Sequence, residues 1–181
     1  MPGGAAFHSV VSCLWPLGRA RMVRMRDVFV YVDSSVWSCC FNENVADLQQ
    51  QSTLFLDRCR QGDLGCVYVS EVVLQELASA PPARARQIGN LLRSVNPERL
   101  DLDDEATALA EAHVNHGVLT RGHLADAYHV AIATVADVDA LVSWNYRHLV
   151  NRRRRAAFNG VNAIRGYGRI DIVSPPEVFD D

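Results

Sequence analysis

The stretch Phe29-Val30-Tyr31-Val32-Asp33-Ser34-Ser35 decides the fold of this chain. Its first four residues are β-branched or aromatic and do not alternate with polar residues, which is typical of a parallel strand buried on both faces. The carboxylate of Asp33 follows this strand directly, and we expect Ser34 and Ser35 to cap a helix that enters at Val36. Open parallel sheets bind their ligands outside the carboxyl ends of the strands. The stretch therefore predicts a functional aspartate at that edge of a sheet.

Strand-like and helix-like segments alternate along the rest of the chain. Such alternation predicts an α/β fold with a central, mostly parallel sheet, and no linker or repeat divides it. The predicted strands after the first are 66–69, 99–102, 140–144 and 169–173, and the predicted helices are 45–60, 70–80, 83–94, 103–116, 123–136 and 146–165.

Composition limits the functions that the chain can have. Its 181 residues, 49% of them hydrophobic, are enough for one domain with a sizeable core. All 18 basic residues are arginine, so enzymes that depend on a lysine, such as P-loop NTPases, protein kinases and Schiff-base enzymes, are excluded. The formal net charge of −3 means that any binding of nucleic acid must be local.

The five cysteines form neither a CxxC pair nor a zinc-ligand spacing. An odd number of cysteines in apolar surroundings predicts reduced thiols and a cytoplasmic location. No apolar run reaches the length needed to span a membrane.

The N-terminal residues differ from the rest of the chain. An apolar patch precedes a group of arginines, which is the reverse of the order in a secretory signal. We expect residues 1–26 to be a poorly ordered extension, or the product of a start codon assigned upstream of Met25. Residues 27–181 are expected to form the folded domain.

Three more oxygen-bearing side chains lie beside apolar segments, as Asp33 does. Glu76 follows the second predicted strand, Asp126 opens the apolar helix 123–136, and Asn145 follows the strand 140–144. Carboxylate and amide oxygens are the ligands that Mg²⁺ and Mn²⁺ prefer. A metal held in this way can activate water and stabilise the leaving oxygen in the hydrolysis of a phosphodiester. The four residues therefore predict a metal site of the kind that nucleases use.

Four blocks of sequence resemble those of PIN-domain nucleases, and most closely the VapC toxins of bacterial toxin–antitoxin systems. They occur in the order and approximate spacing of that family across residues 28–173. The blocks are VYVDSSVW (30–37), SEVVLQELAS (70–79), LADAYHVAIA (124–133) and LVSWNYRHLVN (141–151). The resemblance implies a three-layer α/β/α sandwich and cleavage of single-stranded RNA with Mg²⁺ or Mn²⁺.

Particular residues match the acids of the family's motifs. Asp33, Glu76 and Asp126 match its first, second and third acids, and are expected to be catalytic residues and metal ligands. Besides capping a helix, Ser35 could hydrogen-bond one of these carboxylates. Asn145 stands where the family often has aspartate, which puts a second bound metal in doubt. The resemblance also implies an antitoxin protein as partner, a homodimer, and products that carry a 5′-phosphate and a 3′-hydroxyl.

Several of these residues have a plainer interpretation. Asp33 can cap a helix, Asp126 can complement the dipole of its helix, and Asn145 can simply form a turn. His129 lies three residues after Asp126, but a core histidine bonded to the backbone is favoured over a metal ligand. The run 152–155 is four arginines, and RNA or an acidic partner competes there with simple solvation.

Two rival functions remain beside the nuclease. The first is a PIN-like module that binds RNA or a protein without cutting, for which Asn145 in place of an acid is the best support. The second is a phosphohydrolase with an aspartyl nucleophile. It requires an aspartate two residues after the first and a later lysine, whereas this chain has Ser35 and no lysine.

Overall fold

A computed structural model of the chain describes residues 28–179. Within this range one sheet is formed by strands that all pair in parallel, in the order β3-β2-β1-β4-β5. The strands are β1 (Phe29–Val32), β2 (Cys66–Ser70), β3 (Glu98–Leu100), β4 (Ala140–Val142) and β5 (Asp171–Val173). The predictions for residues 1–26 concern residues outside the described range.

Helices connect each strand to the next, and with the sheet they form the predicted α/β/α sandwich. None of the described helices is both long and apolar enough to cross a lipid bilayer. The helices are α1 (Ser34–Cys39), α2 (Ala46–Gln61), α3 (Glu71–Ala78), α4 (Pro82–Val95), α5 (Asp104–Asn115), α6 (Leu124–Val135) and α7 (Arg152–Ile164).

The strand order creates a crevice between β1 and β4. From β1 the chain proceeds outward through β2 to β3, and it then returns to the other side of β1 to form β4 and β5. In open α/β sheets, ligands bind at the point where the strand order reverses, outside the carboxyl ends of the strands. Residues that directly follow β1 and β4 therefore border the expected binding site.

Burial explains why β1 lies at the centre of the sheet. Val30, Tyr31 and Val32 are each 0% exposed, because strands pair with β1 on both sides and helices cover both faces. Full burial of such a side chain stabilises a fold by about 1.5–3 kcal/mol. Phe29, the first residue of the run, is 41% exposed, so only the last three of the four residues predicted to be buried are so.

The serines after β1 do not cap the first helix, contrary to our expectation. Ser34 and Ser35 are the first two residues of α1, and Asp33 occupies the N-cap position without making a side-chain cap. The two hydroxyls instead donate hydrogen bonds to carboxylates, Ser34 to Glu76 and Ser35 to Asp33. Hydrogen bonds to a carboxylate are strong, and through them the two serines orient the acids instead of capping the helix.

The helix predicted over residues 146–165 begins only at Arg152. Two asparagines interrupt the chain before it: Asn145 Oδ1 accepts a hydrogen bond from the backbone N–H of His148, and Asn151 Oδ1 caps α7 by accepting from Arg154. Asparagine side chains that bond nearby backbone groups favour turns and caps over helix interiors. The residues between the two asparagines therefore form turns that border the crevice.

A buried polar contact joins three helices on one side of the sheet. His113 of α5 donates from Nε2 to Asn162 Oδ1 of α7, at 2.8 Å, and Asn162 Nδ2 donates to Thr134 Oγ1 of α6. His113 and Asn162 are both 0% exposed, and His113 Nδ1 has no hydrogen-bond partner among the described residues. Burial therefore lowers the pKa of His113 to about 4, outweighing the contact with Asn162.

This lowered pKa predicts a loss of stability in acid. Below pH 6.5 the unfolded chain protonates His113, whereas the folded chain does not do so until about pH 4, so acid favours unfolding. From pH 7 to 4, the free energy of unfolding should fall by up to about 3 kcal/mol more in the native protein than in His113→Gln. Denaturant titrations at the two pH values measure this difference. An equal fall in both proteins would contradict it, and exposed His116→Gln is the matched control.

Candidate metal centre

The carboxylate of Asp33 lies at the crevice and is nearly buried, with 4% of the residue exposed. Its backbone N–H donates to Val142 O at the end of β4, which brings the two strand ends together. One carboxylate oxygen, Oδ2, accepts hydrogen bonds from the hydroxyls of Ser35 and Ser143, both at 2.6 Å. Ser143 was not anticipated from the sequence. The two serines fix the orientation of Asp33 and leave its Oδ1 turned toward the neighbouring groups.

Glu76 reaches the same place from α3. Ser70 caps this helix by accepting from the backbone N–H of Val73, so that α3 starts directly after β2 and carries Glu76 on its second turn. Ser34 donates to Glu76 Oε2, and Nε2 of His129 lies 3.3 Å from both carboxylate oxygens. Partial burial acts to raise the pKa of Glu76, but the contacts with His129 and Ser34 hold it below its ordinary value.

Glu71, the other glutamate of α3, has a different role. It is the first residue of the helix, and its carboxylate accepts a hydrogen bond from the backbone N–H of Leu102 and lies 3.4 Å from Arg99. Its position in the first turn of the helix is favourable to the helix dipole. Glu71 thus belongs to the connection between α3 and the end of β3.

His129 is a core histidine, but it does not bond to the backbone as we expected. It is 2% exposed; Nδ1 lies 2.7 Å from the hydroxyl of Tyr31, and Nε2 faces Glu76 and, at 3.6 Å, Asp33 Oδ1. Burial alone would lower the pKa of His129, yet the surrounding carboxylates raise it above the ordinary value. The sequence feature that could have indicated this contact is Tyr31, because the phenol hydroxyl of a tyrosine inside a buried strand requires a hydrogen-bond partner.

Asp126 and Asn145 form a second group beside the first. Asn145 Nδ2 donates to Asp126 Oδ1 at 2.8 Å, while the amide oxygen of Asn145 accepts from the backbone N–H of His148. Asn145 therefore both forms a turn and contacts an acid. Burial raises the pKa of Asp126, and the charge of Asp33 acts in the same direction. The two groups thus interact electrostatically, although hydrogen bonds hold each one separately.

Two histidines adjoin Asp126 on the side facing solvent. His123 Nδ1 lies 3.7 Å from Asp126 Oδ2, and the rings of His123 and His148 stack with their centroids 3.9 Å apart. The sequence did not single out His123. No local spacing relates these two residues, because they are 25 positions apart in the chain.

Two sets of side chains could hold a metal ion in the described part of the chain. One consists of Asp33, Glu76 and His129, and the other of His123, Asp126 and His148; within each, one ligand atom per residue lies within 4.8 Å of the others. The first set contains the first two predicted ligands and the second contains the third. Asn145, the fourth predicted ligand, uses its amide oxygen to accept a hydrogen bond from the backbone N–H of His148.

A cavity of about 570 Å³ adjoins the turn that carries His148. Its lining includes three arginines, Arg147, Arg153 and Arg154, beside the cap residue Asn151. Arg155 pairs with Glu177, but no carboxylate of residues 28–179 lies within ion-pair distance of Arg153 or Arg154. Both arginines lie in the first turn of α7, where the helix dipole disfavours a cation by about 0.3–1 kcal/mol. An anion bound in the cavity would offset this repulsion.

Comparison with known proteins identifies a relative by fold alone. No protein-family model and no curated protein sequence matches the chain. A solved structure described as VapBC2 from Rickettsia felis, bound to a DNA fragment from their promoter, contains a chain of similar fold. The match has a TM-score of 0.50 and 11% sequence identity, and covers 81% of this chain and 98% of that one. The protein therefore shares the α/β architecture of a chain in a VapBC complex.

Proposed function

We propose that the protein is a metal-dependent endoribonuclease of the PIN type that hydrolyses single-stranded RNA. One observation carries this proposal: acids from three separate elements, Asp33 after β1, Glu76 on α3 and Asp126 on α6, lie at the crevice where the strand order reverses. Stability alone does not explain such a cluster, because buried carboxylates that repel one another destabilise a fold.

The acids have the character of ligands for Mg²⁺ or Mn²⁺, and we infer that Asp33, Glu76 and Asp126 hold the ion. Asp33 Oδ1 has only longer contacts, at 3.4 Å from Ser34 Oγ and 3.6 Å from His129 Nε2, whereas two serine hydroxyls bond Oδ2 at 2.6 Å. When bound, the ion would activate a water molecule and neutralise charge on the phosphate, leaving a 5′-phosphate and a 3′-hydroxyl. In this proposal Asn145, the fourth predicted ligand, assists by orienting Asp126 through its amide N–H.

The basic cavity supports RNA as the substrate. Arg147 and the α7 arginines Arg153 and Arg154 would bind the phosphates, because planar guanidinium groups pair well with phosphate oxygens. Tyr146, 51% exposed, precedes Arg147 and offers a surface on which a base can stack. Arg147 adjoins His148, so the cavity lies beside the acidic groups. An RNA strand could therefore contact both regions.

The solved structure of similar fold also bears on the partners of this protein, which belong to the same proposal. The described VapBC2 structure is a complex that includes promoter DNA. By analogy, we infer that this protein is the toxin of a type II toxin–antitoxin pair, is inhibited by a cognate antitoxin protein and forms a homodimer. Its RNA target would then lie in the cytoplasm, which is the location that the cysteine pattern predicts.

A second function, binding of RNA or a protein without cleavage, has one specific observation in its favour. Asn145 occupies the position of the fourth acid in the motif. Its amide oxygen faces the backbone N–H of His148 rather than the neighbouring acids. A module that only binds does not need a divalent ion at Asp33 and Glu76. Metal dependence is therefore the property that separates the two functions.

RNA cleavage by Asp33→Asn tests the proposed chemistry. The purified protein should cut a mixed RNA substrate with Mg²⁺ or Mn²⁺ but not with EDTA. Removal of a group that only supports a metal ligand lowers activity roughly 10–100-fold. Because Asp33 is itself a proposed ligand, the variant should lose more activity than this. Gel analysis of labelled RNA measures both effects.

Asp171→Asn is the matched control, because Asp171 is exposed and lies at the amino end of the edge strand β5, whereas the crevice lies at the carboxyl ends of the strands. Cleavage in EDTA, or equal cleavage by native protein and Asp33→Asn, would contradict the assignment. RNA binding without cleavage under either metal would support the binding module instead.

Charge reversal in α7 tests the path of the RNA. We expect the double variant Arg153→Glu with Arg154→Glu to bind single-stranded RNA in EDTA at least about tenfold more weakly. The slope of log affinity against log salt concentration should fall in magnitude by about 1.4, because two phosphate contacts are lost. Thermal stability should hold or rise, because acidic side chains suit a helix N-terminus. Fluorescence anisotropy at several salt concentrations measures the affinity.

Reversal of two arginines at the other end of α7, Arg165→Glu with Arg169→Glu, is the control of equal charge. Both residues are exposed and lie outside the cavity. If both double variants weaken binding to the same extent, the effect is one of overall charge, and the proposed path is wrong.

A further inference from the structure

The second of the two side-chain sets is built from parts of the chain that the acidic motif does not explain. His123 ends the short helical turn Arg121–His123, Asp126 lies in the first turn of α6, and His148 lies in the turn after β4. One ligand atom from each lies within 4.8 Å of the other two, and all three residues are partly exposed. An ion could thus enter this set from solvent.

Asn145 holds two members of the set in place at once. Its amide nitrogen donates to Asp126 Oδ1, and its amide oxygen accepts from the backbone N–H of His148. Asp126 is therefore anchored through one oxygen, and its other oxygen, Oδ2, faces His123. Groups that orient a ligand through its second atom are a regular feature of metal sites.

One ring nitrogen of His148 makes no hydrogen bond with the described residues. Nδ1 is shielded from water and has no hydrogen-bond partner within residues 28–179. A buried polar atom without a partner costs about 1–3 kcal/mol. The ring of His148 stacks on that of His123. The protein thus places an imidazole with an unsatisfied nitrogen beside a second imidazole and a carboxylate.

We propose that His123, Asp126 and His148 form a binding site for a divalent transition-metal ion such as Zn²⁺ or Co²⁺. Two imidazoles with one carboxylate suit these ions, whereas Mg²⁺ prefers oxygen ligands alone. The site differs in chemistry from the group around Asp33 and Glu76, and it needs neither of them. It shares only Asp126 with the proposed hydrolytic metal.

Sharing Asp126 gives the site a consequence for the proposed nuclease. An ion held by Oδ2 would draw Asp126 toward the histidines and compete with an ion at the acidic group. Zn²⁺ bound here would therefore inhibit cleavage supported by Mg²⁺. This consequence rests on the proposed function, whereas the binding itself does not.

The test is a titration of tag-free, full-length protein, freed of metal, with Co²⁺ and followed by visible absorption. Native protein and Asp33→Asn should both bind about one Co²⁺ with nitrogen and oxygen ligands, and Zn²⁺ should displace it. His123→Ala and His148→Ala should each weaken binding at least about tenfold. His116→Ala should bind as the native protein does, because His116 is exposed and lies outside the set.

His123→Ala keeps the test decisive if His148→Ala fails to fold, since the His123 side chain is 40% exposed. Three results would overturn the proposal: equal Co²⁺ affinity in native protein and His123→Ala, an equal loss in His116→Ala, or loss of the signal in Asp33→Asn. The last would locate the ion at the acidic group. The titration does not depend on cleavage activity. A protein that binds Co²⁺ as expected but cuts no RNA in the cleavage assay would therefore refute the proposed function alone.

Discussion

The burial of the Asp33 carboxylate is the constraint on which the rest of the site depends. A carboxylate with 4% exposure needs hydrogen-bond partners, because the protein interior solvates polar groups poorly. Ser35 and Ser143 supply these donors from the two sides of the crevice, after β1 and after β4. A shift of one residue in the pairing of these strands would remove Ser143 and leave the charge less well solvated. The sheet and the acid therefore hold each other in place.

A line of polar groups extends this arrangement through the core. Ser70 at the end of β2 contacts the hydroxyl of Tyr31 on β1, Tyr31 contacts His129 on α6, and His129 contacts Glu76 on α3. Polar networks inside a protein are stabilising when every member is satisfied, and they then select one packing arrangement. This line fixes the distance between α6 and α3, and with it the separation of the acids.

The charge distribution combines two opposite requirements within a short span. The acidic groups at the crevice would repel a phosphate, whereas the arginines at the start of α7 would attract one. Asn151 caps α7 and is part of the cavity wall, so the turn that ends near His148 also starts the basic helix. In the proposed function this continuity would hold an RNA backbone at the edge of the acidic region. A net charge of −3 gives no sign of this local contrast.

The sequence by itself determined the parallel α/β architecture and the position of Asp33, because burial patterns and strand ends are local properties of the chain. It also marked Glu76 and Asp126 through a resemblance of short motifs. Only the tertiary structure decided that His129 faces Asp33 and Glu76 and that His123 stacks on His148. These contacts join residues from 25 to 96 positions apart. No periodicity relates such residues, and only the packing of strands and helices brings them together.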